Sequence, residues 1–235
     1  MSDSVFYSQP AYILHQQNYR ESSLIIDALT RDLGRVSLVA KGVRKAKSKT
    51  VGMLRPFVAL SLSFVGKTGL KTLTDVEMVG LPIELGGLAF YCGFYVNELV
   101  CNFLHKDDPH PEVFHNYEKC LSSLVHDDSY ESALRDFELN LMDNIGYGMQ
   151  LNYDFRNETP IDFNRKYTFN KDDGLVEDGA GQFSGAALLA IQQRQFDDPM
   201  VLNEAKNLMR IVIDSHLQGR QLKSRSVIAN IIKRI

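Results

Sequence analysis

The spacing of apolar residues changes once along this chain, and the change divides it into two parts. Up to about residue 80 the apolar residues occur in short runs, several of which alternate with polar residues as half-buried β-strands do. Pro82 and a pair of adjacent glycines then interrupt the pattern. From Leu88 onward the apolar residues recur at helical spacing. We therefore predict an α+β protein with domains at residues 1–80 and 81–235.

The first part contains five strand-like runs. They span residues 11–16, 23–30, 35–41, 58–65 and 70–79. Five strands with one longer connection after the third fit a small closed Greek-key barrel of the OB type. A five-stranded SH3-like barrel fits equally well, and the strand pattern alone does not separate the two.

The second part is typical of an α-helical domain with a small β-hairpin insertion. Helical spacing predicts helices over residues 88–103, 111–125, 130–145, 185–195 and 200–217, followed by a short helix in the tail. Residues 149–183 are polar, and two short runs at 166–170 and 174–177 predict a hairpin or ribbon. Ser184 is expected to cap the helix that follows.

The longer connection after the third strand is strongly cationic, and we call residues 41–49 the basic connection. It holds five positive charges in nine residues and no acid: Lys41, Arg44, Lys45, Lys47 and Lys49. Like charges this close repel one another, so folding alone does not favour the arrangement. A polyanion would relieve the repulsion, and nucleic acid is the commonest polyanion in a cell. A solvated basic turn is the alternative explanation.

The formal net charge of −3 hides a segregation of charge along the chain. Residues 1–80 carry 11 Lys and Arg against 6 Asp and Glu, residues 81–205 carry 8 against 22, and residues 206–235 carry 7 against 1. The two ends are therefore basic and the middle is acidic. A nucleic-acid-binding protein can have an acidic pI when its positive charge is gathered on one face, and the two basic segments could supply such a face.

Enzyme signatures are absent from the sequence: there is no phosphate-binding loop, dinucleotide-binding glycine motif, zinc-protease motif or nucleophile elbow. The histidines are scattered, the three cysteines show no paired spacing, and adjacent carboxylates stand beside turn residues. We therefore expect a binding protein with no catalytic residue, cofactor, disulfide or metal. No apolar run approaches the ~20 residues that span a bilayer, and the first residues do not form a signal peptide, so we expect a cytoplasmic protein without membrane contact.

A barrel that binds single-stranded nucleic acid combines a cationic groove with aromatic side chains for stacking. The cations of the first domain, Lys71 among them, would supply the groove, and Tyr19, Phe57 and Phe64 are the candidates for stacking. Phe64 lies on an alternating strand and is expected in the core, whereas Tyr19 lies in a polar turn. Because the aromatic side chains are few, we expect phosphate contacts to dominate, with weak sequence preference and strong salt dependence.

Four segments in this order resemble the bacterial recombination mediator family RecO. They are AYILHQQNYRESSLIIDALTRDLGRVSLVAKGVRK at residues 11–45, GLPIELGGLAFYCGFYVNELV at 80–100, LRDFELNLMDNIGYG at 134–148 and QGRQLKSRSVI at 218–228. The resemblance implies an N-terminal OB-fold barrel packed on a C-terminal α-helical domain. It also implies a role in recombinational DNA repair, with binding of single- and double-stranded DNA and annealing of complementary strands.

The resemblance further implies protein partners. With RecR, a protein of this family helps to load RecA onto DNA coated by single-strand-binding protein, so that contact with RecA is indirect. It also contacts the acidic, Phe-ended C-terminal tail of the single-strand-binding protein. These partners would place the chain in the cytoplasm, associated with the nucleoid.

The resemblance assigns DNA contacts to the basic segments of the barrel and of the tail. Together with neighbouring barrel cations, the candidate DNA-binding residues are Arg20, Arg35, Lys41, Arg44, Lys45, Lys47, Lys49, Lys67, Arg220, Lys223 and Arg225. A partner tail would need an apolar slot and a cation for its carboxylates. The candidates are Arg135, Lys206 and Arg210, for which solvated surface charge is the alternative explanation.

The chain departs from the family pattern at one point. Many members carry a four-cysteine zinc site after the GYG sequence, but residues 149–183 contain no cysteine. We therefore predict no metal in this ribbon.

The leading hypothesis is a non-enzymatic mediator that binds and anneals DNA. Two other functions fit the same charge pattern. One is an RNA- or ribosome-associated OB-fold protein. The other is a protein-docking adaptor in which the basic connection is incidental.

Overall fold

The computed structural model describes residues 4–46, 48, 50–67, 69–126 and 130–233. The chain forms two compact units, of which the first comprises residues 1–127 and 222–235 and the second residues 128–221. The predicted domain boundary at residue 80 separates the barrel strands from the helices that follow. The compact units are divided by packing instead, after residues 127 and 221, so the boundary at residue 80 stays a prediction. Within the described ranges, no helix has the length and apolar character needed to cross a membrane.

The first unit contains a closed barrel of five strands, which confirms the predicted α+β fold with an OB-type barrel. The strands are β1 (Val5–Tyr19), β2 (Ser23–Thr30), β3 (Gly34–Ala40), β4 (Leu60–Val65) and β5 (Leu70–Met78). The order around the barrel is β1, β2, β3, β5, β4, with β3 and β5 parallel and the other neighbours antiparallel. This Greek-key closure is that of an OB-fold.

Alternation of apolar and polar side chains builds the barrel core. In β4 the side chains of Leu60, Leu62 and Phe64 are buried, and Phe64 is a core residue as predicted. β1 begins six residues earlier than predicted because its first part pairs with β4, with a register shift between Phe6 and Gln9. A bulge of this kind interrupts the period of two, so alternation did not mark this part of the strand.

Helices occur where the apolar spacing predicts them, to within about three residues at each end. They are α1 (Gly87–Phe103), α2 (Pro111–His126), α3 (Tyr130–Asn144), α4 (Gly185–Gln192), α5 (Pro199–His216) and α6 (Lys223–Ile232). The first unit contains α1, α2 and α6, and the second contains α3, α4 and α5. The C-terminal helix therefore packs in the same unit as the barrel.

A hydrogen-bonded network joins the barrel to α1 and α2. The Asn97 amide of α1 donates to the carbonyl oxygen of Leu14 at 3.0 Å and accepts from the Tyr117 hydroxyl of α2 at 2.7 Å. The Tyr12 hydroxyl of β1 donates to the carboxylate of Glu118 at 3.1 Å. These partners satisfy polar groups that burial would otherwise penalise. The barrel and these helices are thereby held as one packed body.

The turn between α1 and α2 lies directly against the barrel. Gly34 adopts φ +67°, and a Cβ atom there would lie 1.8 Å from the carbonyl oxygen of Asp108. Beside it, the Lys71 side chain of β5 is 3% exposed and its ammonium donates to the carboxylate of Asp107. A buried cation requires such a partner. Lys71, predicted to face nucleic acid, is therefore part of this internal contact, and that prediction is wrong.

The far end of the β3–β4 connection is anchored by Phe57. Its side chain is 4% exposed, and its backbone adopts φ +65°, which is unusual for a bulky residue. The ring packs against Phe90 and Phe94 of α1 at centroid distances of 5.8 and 5.2 Å. A Cβ atom at Gly93 would lie 2.7 Å from this ring. Phe57 was a candidate for stacking on bases, and this prediction is wrong because the ring is buried.

Helix α6 is held on α1 through its first turn. Its N-cap residue, Leu222, makes no side-chain cap hydrogen bond. Instead the Glu98 carboxylate of α1 accepts from the backbone N–H groups of Lys223 and Ser224, each at 2.9 Å. A carboxylate is favoured at this end of a helix because the N-terminal N–H groups carry partial positive charge.

The second unit contains the predicted hairpin. Its strands are β6 (Tyr153–Asp154), β7 (Thr159–Pro160), β8 (Lys166–Asn170), β9 (Gly174–Glu177) and β10 (Phe183–Ser184). The two hairpin strands, β8 and β9, match the predicted runs residue for residue. Ser184 caps α4 as predicted, since its hydroxyl accepts from the N–H of Ala187 at 3.2 Å. The two-residue strands were not predicted because they are too short to show a period.

Asp154 organises the polar ribbon of the second unit. The residue is 1% exposed, and its carboxylate accepts from the backbone N–H groups of Arg156 at 3.0 Å, Asn157 at 3.0 Å and Glu177 at 2.8 Å. The Asn157 amide donates to it as well, at 2.9 Å. Burial would raise the pKa of Asp154, but the hydrogen bonds to its charged form outweigh burial and lower the pKa below its ordinary value.

Replacing Gly34 by alanine should destabilise the first unit more than the same change at Gly69. Both glycines adopt positive φ, but a Cβ atom at Gly69 would have no neighbouring atom within 4 Å, whereas one at Gly34 would meet the Asp108 carbonyl oxygen. Gly69→Ala should therefore cost only the conformational strain of about 1–2 kcal/mol, and Gly34→Ala more. Chemical denaturation of the two variants measures the difference, and equal destabilisation would contradict the close approach.

Replacing Asp154 by asparagine should loosen the ribbon by about 2 kcal/mol at neutral pH, because hydrogen bonds to a charged group are lost. A lowered folded-state pKa means that the stabilisation is complete above the unfolded value of about 3.9 and is lost as the pH falls through the folded value. The difference between the wild type and Asp154→Asn should therefore shrink below about pH 4. Amide exchange of β6 and β9 measures it, with Asp172→Asn, on the exposed turn between β8 and β9, as the control.

Candidate nucleic-acid interface

Three of the predicted DNA-binding cations line one groove on the barrel. Arg20, in the turn between β1 and β2, and Lys41 and Lys45, in the basic connection, border a space of about 570 Å³. We call it the basic groove. Its other lining residues come from that turn, the end of β3 and the start of β5: Tyr19, Ser22, Ser23, Val39, Gly42, Leu70 and Thr72. No acid occurs among these lining residues, so their positive charge is not compensated within the groove.

Arg44 fixes the basic connection to the β1–β2 turn. Its Nη2 donates to the carbonyl oxygens of Arg20 and Glu21 at 2.6 and 2.7 Å. Its backbone N–H donates to the carbonyl oxygen of Ser22 at 2.9 Å. Gly42, with φ +71°, allows the chain to turn sharply at the end of β3. These hydrogen bonds hold Lys41 and Lys45 in the groove that Arg20 also lines. Carbonyl oxygens, which carry no net charge, therefore keep the like charges close together.

The Arg20 side chain is oriented by its neighbour. Arg20 adopts φ +50°, and its guanidinium carbon lies 5.1 Å from the centroid of the Tyr19 ring. A cation–π contact of this kind favours one orientation of the guanidinium without neutralising its charge. Tyr19 is half-buried in the groove. The tyrosine predicted as the better stacking candidate therefore lies in the groove, with Arg20 over its ring.

Arg35 is not among the lining residues of the basic groove, although it is close to the basic connection in the sequence. Its guanidinium donates to the Asp27 carboxylate at 3.1 Å and to the carbonyl oxygen of Cys101 in α1. Burial would raise the pKa of Asp27, but hydrogen bonds from Ser37 and Arg35 and the nearby positive charge lower it. Because Asp27 and α1 already occupy this guanidinium, Arg35 serves the contact between the barrel and the helix.

The remaining predicted barrel cations are Lys67, Lys47 and Lys49. Lys67 is exposed in the turn between β4 and β5. Lys47 and Lys49 lie outside the described residues, although the sequence places them on the segment that borders the groove.

The predicted tail cations are divided between the two units. Lys223 is exposed at the first residue of α6, and the Arg225 guanidinium carbon lies 5.8 Å from the centroid of the Tyr95 ring in α1. Arg220 is exposed at the end of the second unit. The DNA contacts of the tail stay predictions.

The three cations predicted to bind a partner tail differ in their surroundings. Arg135 is 5% exposed and pairs with Glu138 within α3 at 2.5 Å. Lys206 of α5 is exposed and pairs with Glu131 at 2.6 Å. Arg210 is exposed on the next turn of α5. Lys206 and Arg210 are accessible to a ligand, whereas the Arg135 charge is paired inside the unit, and the role of all three stays a prediction.

The residues of the ribbon do not fit the zinc site found in many members of the resembled family. The segment has no cysteine. Its buried carboxylate, Asp154, already accepts hydrogen bonds from Arg156, Asn157 and Glu177. Across the described ranges, no group of three or more His, Cys, Asp or Glu side chains is placed to hold a metal ion. The carboxylate therefore organises the ribbon through hydrogen bonds.

Sequence reasoning missed the contribution of β5 to the groove. Leu70 and Thr72 line it, although β5 begins some 20 residues beyond the basic connection in the chain. The sequence contains part of this information, because alternation along β5 places the side chains of Leu70 and Thr72 on the face opposite Lys71. The parallel pairing of β3 with β5, which brings them beside the basic connection, has no local signature.

Replacing Arg44 by lysine should loosen the basic connection while keeping its charge. A lysine cannot reproduce the planar fork that reaches two carbonyl oxygens, and loss of hydrogen bonds worth about 1.5 kcal/mol should speed amide exchange of residues 42–46 by roughly tenfold. Hydrogen–deuterium exchange measures this, with Arg55→Lys as the control, since Arg55 is an exposed arginine between the basic connection and β4. Exchange equal to that of the wild type would show that Arg44 contributes charge alone.

Comparison with known proteins shows the family of this chain. Residues 1–82 match the model of the recombination protein O N-terminal domain, and residues 86–226 match that of its C-terminal domain. A protein of Methylococcus capsulatus named DNA repair protein RecO is 41% identical over 219 residues, which cover 92% of this chain and 90% of that protein. Proteins of the same name from Actinobacillus succinogenes and Coxiella burnetii are 37% and 39% identical, over 94% of this chain and 95% and 96% of their own lengths. The chain therefore belongs to the recombination protein O family.

Proposed function

We propose that this protein is a non-enzymatic mediator of DNA repair that binds single- and double-stranded DNA and anneals complementary strands. The observation that carries the proposal is the basic groove, where Arg20, Lys41 and Lys45 converge with no acid among the lining residues. Membership of the recombination protein O family, whose relatives are named as DNA repair proteins, supports it.

The mechanism follows from electrostatics. Two DNA strands repel each other because each carries one negative charge per nucleotide. Lysine and arginine side chains that neutralise phosphates on both strands reduce this repulsion, and base pairing then proceeds without nucleotide hydrolysis. The basic connection suits this task because Arg44 fixes it through backbone carbonyl oxygens. Its lysine charges are left to meet phosphate.

The protein partners follow from the family and not from the groove. We propose that the protein acts with RecR to load RecA on DNA coated by single-strand-binding protein. The acidic tail of the latter would bind the second unit, where Lys206 and Arg210 stand exposed on one face of α5. Arg135 is left out of this proposal because it is buried beside Glu138, whereas Lys206 is exposed although Glu131 pairs with it.

Replacing Lys41 and Lys45 together by glutamine should weaken binding to DNA of any sequence. Each lost phosphate contact should reduce the slope of log affinity against log salt by about 0.7 for a single strand, so the double variant should show a slope lower by roughly 1.4. Fluorescence anisotropy across a salt series measures this, and a stopped-flow assay of annealing should show a slower rate. Lys166 and Lys171, both exposed in the second unit, replaced together by glutamine, give the matched control.

Three outcomes would count against the proposal. An unchanged slope would remove the groove from DNA binding. Stronger binding to matched RNA than to DNA would indicate an RNA-associated protein, because contacts to 2′-hydroxyls favour RNA. Affinity for DNA no tighter than about millimolar, well below ordinary non-specific binding, would indicate an adaptor with an incidental basic connection.

A further inference from the structure

An apolar side chain lies exposed in the basic groove. Leu70, the first residue of β5, is 47% exposed. It lines the same groove as Lys41 and Lys45. A leucine in a cationic groove contributes nothing to phosphate binding, so electrostatics alone do not explain the composition of this site.

Strand geometry places an apolar floor beneath the cations. On β5, the Lys71 side chain points inward to Asp107, so Leu70 and Thr72 lie on the opposite face. On β3, Leu38 and Ala40 belong to the barrel core, while Val39 lines the groove. The parallel register pairs Val39 with Thr72 and brings these residues side by side. The floor of the groove is therefore formed by Val39 and Leu70, with hydroxyl groups beside them.

The groove is thus apolar at its floor and cationic at its rim. The rim cations, Arg20, Lys41 and Lys45, are all exposed. A complementary ligand has a flat apolar part and an adjoining anionic part, and a volume of about 570 Å³ is in the range of small-molecule sites. A nucleotide has both parts. In a duplex, however, the faces of the bases are stacked on one another and only base edges and the backbone are exposed, so only an unpaired base offers its face to the floor.

We propose that the basic groove holds one unpaired nucleotide, with its base against Leu70 and Val39 and its phosphate at Lys41 and Lys45. This inference rests on the proposed function and deepens it, because it separates two kinds of contact in one site. The lysines bind single strands and duplexes alike. The apolar floor binds only a strand whose bases are free, and it recognises the face of a base, so it has little sequence preference.

The test uses Leu70→Ser in the full-length protein with three DNA ligands of one length. They are an oligothymidylate, the same strand with abasic residues throughout, and a duplex. The wild type should bind the oligothymidylate about fivefold more tightly than the abasic strand, as expected for partial burial of a leucine side chain. Leu70→Ser should abolish this preference and leave abasic and duplex affinities unchanged. Leu81→Ser is the matched control, since Leu81 is 90% exposed and lies outside the groove.

A second variant guards against a folding defect. Leu70→Phe offers a larger flat surface, so it should tighten binding of the oligothymidylate by a few-fold without changing duplex affinity. If neither Leu70 variant alters the ratio of the oligothymidylate to the abasic affinity while Lys41→Gln with Lys45→Gln weakens all three ligands, the nucleotide site is wrong and the proposed function stands. If the lysine changes also have no effect, both fail.

Discussion

A cation that is buried in this protein must be neutralised by the protein itself, and this constraint decides which charges are left for a ligand. Lys71 is paired with Asp107, and Arg35 is held by Asp27 and a carbonyl oxygen of α1. Taking a charge out of water costs several kcal/mol unless a partner is present. Both cations therefore join the barrel to its helices. The cations around the basic groove, by contrast, stay exposed, and none of the described residues that line this groove is an acid.

The segment between β3 and β4, which contains the basic connection, is held near both ends by contacts that use no acid. Near its start, Arg44 donates to backbone carbonyl oxygens of the β1–β2 turn. Near its other end, Phe57 is wedged between α1 and the barrel, where Gly93 leaves room for the ring. Carboxylates in these places would have anchored the segment equally well but would have cancelled its charge. Backbone and aromatic anchors keep the positive field intact, which suits a site for a polyanion.

Charge is also distributed between the two units. The first unit carries 17 Lys and Arg against 13 Asp and Glu, and the second carries 9 against 16. A unit with negative net charge repels DNA, so the DNA contacts proposed for the basic groove belong to the unit with positive net charge. Within the acidic unit, Asp154 uses its carboxylate to gather backbone N–H groups from separate strands of the ribbon. The negative charge there has a structural use that requires no metal.

The sequence by itself determined the barrel, the helices, the hairpin and the cationic segment, because each leaves a local signal in the period of apolar residues or in the density of like charge. It predicted Arg20, Lys41 and Lys45 as DNA contacts, and the fold brings these three residues together. Only the tertiary structure decided that Arg35 and Lys71 are internal, that Phe57 is an anchor, and that Leu70 belongs to the groove. These outcomes depend on the closure of β3 on β5 and on the approach of the α1–α2 turn to Gly34. Contacts between residues distant in the chain fix a side chain's partner, and no local pattern records them.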